Sequence, residues 1–145
     1  MEKSINDKLL NLEYKHNNRY VVTFPRPFEI DPWACISGNR PSFFVDDNDK
    51  KIWEPITFVF VDPIGPSTSH ALMRGYDELE KLESKEIVVK LELLDPTGEL
   101  IEQWDISGKI RSINFGWVNY DTEVGSDNKI KIYVEFNVND VTLKF

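Results

Sequence analysis

At 145 residues, with 41% hydrophobic and 12% aromatic side chains, the chain is sized for one ordinary domain whose core needs neither disulfides nor a metal. Its formal charge of −8, from 25 acidic against 17 basic residues, argues against a protein that wraps nucleic acid, because such binding neutralises phosphate with Lys and Arg. The single Cys35 excludes an internal disulfide framework and a multi-cysteine zinc site, and no apolar run approaches the ~20 residues of a membrane span.

Met1 to Asn18 mixes Glu, Lys, Asn and Asp around a short apolar patch at Leu9, Leu10 and Leu12, so it lacks the continuous stretch of a signal peptide and is expected as an arm or short helix. Folded structure is expected to fill 19–145 as a single β domain in a reducing, cytoplasmic setting. Arg19 to Phe24 predicts a first strand, ended at Pro25-Arg26-Pro27 because proline cannot donate to a ladder. A second strand is expected over Trp33 to Ser37. The acidic run Asp46 to Lys51 predicts a hairpin-like loop, and Trp53 to Val61 a strongly apolar strand. Ser67, Thr68 and Ser69 are candidate caps of a helix reaching about Leu82, in which Leu72, Tyr76, Leu79 and Leu82 recur at helical spacing. Gly75 weakens that helix by roughly 1 kcal/mol relative to alanine.

Strands are then expected at Glu86 to Leu94 and Leu100 to Ile106, joined by the turn sequence Asp95-Pro96-Thr97-Gly98. Gly108 permits a bend before a further strand over Lys109 to Tyr120, and Gly125 to Asn128 turns the chain into the last one. There Ile130, Ile132, Val134, Phe136 and Val138 alternate with Lys129, Lys131, Tyr133, Glu135 and Asn137, a period of two that buries one face. The fold class this predicts is mainly β: an antiparallel barrel or sandwich of about six to eight strands with one α-helix.

Chemistry-bearing patterns are sparse. His16 and His70 belong to no paired-ligand spacing, and Asp46-Asp47-Asn48-Asp49 lacks the glycine and distal glutamate of a calcium loop. Ser67-Thr68-Ser69-His70 is not a nucleophile elbow and has no orienting acid evident nearby, so capping is the expectation. Cys35 sits in an apolar strand as an inert thiol. Of Trp33, Trp53, Trp104 and Trp117, three fall in predicted apolar strands, which favours core or interface packing over base stacking. No catalytic residue, cofactor or metal ligand is nominated.

Three stretches taken in order resemble the tail tube proteins of contractile-tailed bacteriophages, including the tube protein of T4-like phages. They are Arg19 to Phe24 with Trp33 to Ser37, then Trp53 to Val61 with the helix at Leu72 to Leu82, and finally Val89 to Asp95, Gly98, Trp104 to Gly108, Ile113 to Gly116, Val118 to Asp121 and Ile130 to Phe136. The resemblance implies a non-enzymatic virion protein, assembled in the host cytoplasm into the tail. Its hexameric rings would stack within a sheath, join a baseplate and pass DNA through the lumen without specific binding or membrane contact. Exposed charged residues Asp46, Asp47, Asp49, Lys50, Lys51, Asp121, Glu123 and Asp127 are the candidate ring contacts. A baseplate-hub or tube-end component, the tube of a related injection machine, and a small-ligand-binding β-barrel stand as alternatives.

Overall fold

Among residues 12–118 and 128–145, which the computed structural model describes, there are eight strands and one α-helix. Strands β1 (Tyr20–Thr23), β2 (Cys35–Ser37), β3 (Phe43–Val45), β4 (Lys51–Trp53) and β5 (Ile56–Val61) precede helix α1 (Thr68–Glu80), and β6 (Ile87–Leu94), β7 (Leu100–Asn114) and β8 (Lys131–Leu143) follow it. Six of them make one antiparallel sheet in the order β1-β6-β7-β8-β5-β2, while β3 and β4 pair with each other as a separate ribbon. The six-stranded sheet curls into a nearly closed barrel. Across the seam, Tyr20 Oη on β1 donates to the carbonyl of Cys35 on β2 at 3.3 Å.

Alternation decides which side chains fill the barrel. Ile87, Val89, Leu91 and Leu93 of β6, Ile56, Phe58 and Phe60 of β5, and Ile132, Val134 and Phe136 of β8 are all buried. Phe24 sits among them, its ring centroid 5.5 Å from both Phe58 and Phe60 in edge-to-face contacts. Each such side chain contributes roughly 1.5–3 kcal/mol by leaving water, so a one-residue slip of register would be prohibitive. Ile130 departs from the expected buried face: it precedes β8 and is 40% exposed. Val138 is only half-buried, because β5 ends its pairing at Ile56 opposite Phe136 and leaves that flank open.

Five predicted elements have different bounds. Pro32–Ala34 forms a 3-10 turn rather than strand, capped by Asp31, whose carboxylate accepts from Trp33 N at 2.9 Å; Trp33 therefore points outward, 70% exposed. The expected strand Trp53 to Val61 is divided at Glu54-Pro55, since proline has no N–H for a ladder. Leu100 to Ile106 and Lys109 onward are one strand, β7, running through Gly108. There the register shifts against β8, and a Cβ on Gly108 would lie 2.0 Å from the Asn137 carbonyl oxygen, so only glycine allows that close approach. Leu82 falls beyond α1 and is exposed.

Helix α1 closes the remaining opening by burying Leu72, Gly75 and Leu79 in the same core. Ser67 caps it, its Oγ accepting from His70 N at 3.2 Å. Asp62 does lie beside the serines, contrary to the expectation of no nearby acid. Its carboxylate accepts from Ser69 N at 3.1 Å and from the hydroxyls of Ser67 and Ser69. Burial raises the Asp62 pKa, but those hydrogen bonds outweigh it and hold the group below the usual aspartate range. Gly75 is a packing residue: a Cβ there would come 2.3 Å from Cδ1 of the buried Phe28 ring. Gly75→Ala is therefore expected to destabilise the protein by about 1–3 kcal/mol through overpacking, although helix propensity alone favours alanine by about 1 kcal/mol. The shift of the urea midpoint decides the sign.

Candidate assembly interface

The long hairpin β7–β8 carries more strand than its neighbours cover. β6 pairs with β7 as far as Gly108, and β5 pairs with β8 as far as Phe136. Among the described residues, Lys109–Asn114 of β7 and Asn137–Leu143 of β8 thus have no strand on their outer sides. The two open half-edges face opposite ways, one on each flank of the hairpin. Their backbone groups are a template for further strand pairing. The outward face of this sheet is polar, with Lys131, Tyr133, Glu135 and Asn137 on β8 and an Arg111–Glu135 ion pair at 3.2 Å.

The β3–β4 ribbon is the second exposed element. Its register, Phe43↔Trp53, Phe44↔Ile52 and Val45↔Lys51, puts Phe43, Val45, Lys51 and Trp53 on one face and Phe44 and Ile52 on the other. Phe43 and Trp53 meet edge-to-face at 5.1 Å, and the Lys51 ammonium lies 4.8 Å from the Phe43 ring centroid and 5.5 Å from that of Trp53. Phe43, Phe44, Val45 and Ile52 remain exposed nonetheless. Charge drew attention to this segment in the sequence, and its apolar strands went unnoticed. The signal was available, since Phe-Phe-Val and Lys-Ile-Trp flank the turn symmetrically.

Of the candidate contact residues, Asp46 serves the turn itself, its Oδ1 accepting from the N–H groups of Asn48 and Lys50 at 2.9 Å each. Asp49 takes the left-handed position at φ 60°. The turn Asp95–Glu99 repeats the arrangement, with Asp95 Oδ1 accepting from Thr97 N and Glu99 N and Gly98 in the left-handed position. Asp47, Asp49, Lys50 and Lys51 are exposed, Lys51 with its ammonium over the Phe43 and Trp53 rings. Asp121, Glu123 and Asp127 lie outside the described residues.

Glu102 carries no distinguishing motif in the sequence, yet it is 2% exposed and is the hub of a polar cluster. Lys15 Nζ donates to it at 2.5 Å, Trp104 Nε1 at 2.7 Å and Arg40 Nη1 at 3.3 Å. One carboxylate thereby ties the N-terminal segment and the β2–β3 connection to β7. Burial pushes its pKa up, but Lys15, Trp104 and Arg40 together hold it below the usual glutamate range. Cys35 is likewise buried, its thiol pushed up to about 12 by desolvation. No group of three metal-ligating side chains occurs among the described residues, and Trp33 and Trp117 stand exposed at separate places rather than packed in the core.

No family model matches the sequence, and no curated protein is similar to it in sequence. Likeness is found in three dimensions. A chain of the sheath-tube complex of the extracellular contractile injection system PVC, in the extended state, is covered over 99% of its length by 99% of this one, with a TM-score of 0.57 and 12% identity. A chain of the PVC sheath/tube terminator matches 92% of this chain and 99% of its own, at TM-score 0.58 and 14% identity. A chain of the cap terminating the anti-feeding prophage tube matches 98% and 99%, at 0.54 and 14%. The fold is that of contractile injection system tube proteins. At these identities the likeness is one of fold.

Two outcomes test the polar and thiol environments. A carboxylate whose native pKa lies below its unfolded value stabilises fully above the usual glutamate range, near pH 4.3, and its contribution is lost as pH falls through the lowered native value. Glu102→Gln should therefore lower the urea midpoint at neutral pH and flatten its decline in acid; parallel pH profiles for the two proteins would show that Glu102 contributes nothing. Cys35 should be silent to a thiol reagent at pH 8 in the native protein and titrate as one thiol in denaturant, as its burial requires.

Proposed function

We propose that the protein is a structural subunit of the inner tube of a contractile tail or injection machine, joining identical copies head to tail into six-membered rings that stack, and catalysing nothing. The observation that carries this reading is the pair of open half-edges, Lys109–Asn114 and Asn137–Leu143. They lie on opposite flanks of one antiparallel hairpin, so a rotation that sets β8 of one copy beside β7 of the next preserves the alternation of strand direction. Repeated, that heterologous contact closes a ring and removes both edges, and strand tilt accommodates their stagger. Six copies is the number that the tube resemblance implies.

In such a ring the outward face of β6–β8 would form the wall of a bore. Lys90, Glu92, Asp105, Lys109, Arg111 and Glu135 give it both signs of charge and no basic stripe, on a chain that is acidic overall. DNA phosphate would gain little by adhering there. On this reading residues 19–145 are the tube-like domain, residues 1–18 an accessory arm, and sheath and baseplate proteins the partners in a tail. The likeness to cap and terminator chains supports a second reading, a ring that ends the tube or joins it to a baseplate.

Negative-stain electron microscopy of the purified protein, with light scattering for mass, tests both. Long hollow tubes of sixfold rings are expected for the main tube, and discrete unstacked rings for a terminal component. A protein that stays monomeric at high concentration overturns the ring.

A further inference from the structure

A mainly apolar groove of about 300 Å³ runs between α1 and the open half-edge of β7, lined by Met73, Tyr76, Ile113 and Phe115 with Asp77 and Glu80 on α1 and, on β7, Arg111, whose charge is engaged by Glu135. Met73 is 50% exposed, and neither acid has an ion-pair partner among the described residues. The β3–β4 ribbon is its complement. Phe44 and Val45 are 51% and 56% exposed, Lys50 and Lys51 sit at the tip, and a two-stranded ribbon with apolar residues on both faces is marginal until something covers it. Their positions also correspond. The ribbon leads into β5 at Ile56, whose partner Phe136 is the last residue before the open half-edge of β8, and its β4 strand contacts β8, whereas the groove flanks the open half-edge of β7. Any copy whose β8 continues the β7 of its neighbour brings its own ribbon toward that neighbour's groove.

We propose that the β3–β4 ribbon of one copy seats in the α1–β7 groove of the adjacent copy within the ring, with Lys50 and Lys51 facing Asp77 and Glu80. Apolar residues of the ribbon supply the buried contact. The two charge pairs fix which way the ribbon enters, since the same approach with like charges would be repelled. This inference rests on the ring reading and adds the residues that select the neighbour.

The test reverses charge on each side separately and then on both. Lys50→Glu with Lys51→Glu, and Asp77→Lys with Glu80→Lys, are expected to cut the ring fraction roughly tenfold or more in sedimentation velocity. All four positions are exposed, so thermal unfolding of the unassembled groove variant should be unchanged, and that of the ribbon variant should shift only by the lost contact of Lys51 with the Phe43 and Trp53 rings. The fourfold variant carrying both reversals should recover rings. Normal assembly of either double variant, or no recovery in the fourfold one, overturns the seating while leaving the ring intact. Rings that form normally but no longer stack would place the ribbon between rings and equally overturn it. A wild-type protein that never assembles overturns the ring reading itself, and the seating falls with it.

Discussion

The pairing of β7 with β8 is the constraint on which the rest of the molecule depends. Fifteen residues run against thirteen, and the register slips at Ser107–Gly108 and again at Ile110–Ser112. Each bulge bends and twists the pair, which lets one hairpin serve the barrel with opposite halves of its two strands. β6 takes the first half of β7 and β5 the first half of β8, so each strand leaves its second half free on one side. Gly108 makes this possible at a single point, where the Asn137 carbonyl occupies the space of a side chain. The outer edges of β1 and β2 also lack a strand partner, facing each other across the seam that Tyr20 spans, so the hairpin contributes two of the sheet's open edges.

At least four of the 25 acidic side chains have structural roles inside the protomer. Asp46 and Asp95 accept backbone N–H groups in matching turns, Asp62 holds the start of α1, and Glu102 gathers donors from three segments. These carboxylates keep their charge, since hydrogen bonds and neighbouring cations hold Asp62, Asp95 and Glu102 below the usual carboxylate range. What the surface does display in excess is apolar: the ribbon around Phe44 and the groove beside Met73. The groove borders the open half-edge of β7, and the ribbon contacts β8 through β4.

In the proposed ring, each contact between copies would satisfy one pair of half-edges, and the last open pair would be satisfied only on closure. Burial raises the pKa of the Cys35 thiol, and Ser67 caps α1.

The amino-acid sequence alone determined the period of two in β6 and β8, the turns at Asp46 and Asp95 and the cap at Ser67. These are local: pleat geometry, side-chain-to-backbone bonds and proline's missing donor act over a few residues. It also placed Val134 and Phe136 inside correctly and misplaced Ile130, whose burial depends on a partner strand that ends before it. Only the tertiary structure decided that Gly75 is a contact for Phe28, that Glu102 is a buried hub, and that the Phe43–Trp53 ribbon stands away from the barrel. Each of those depends on chain segments distant in sequence, and spacing along the chain carries no information about which distant groups will share a volume.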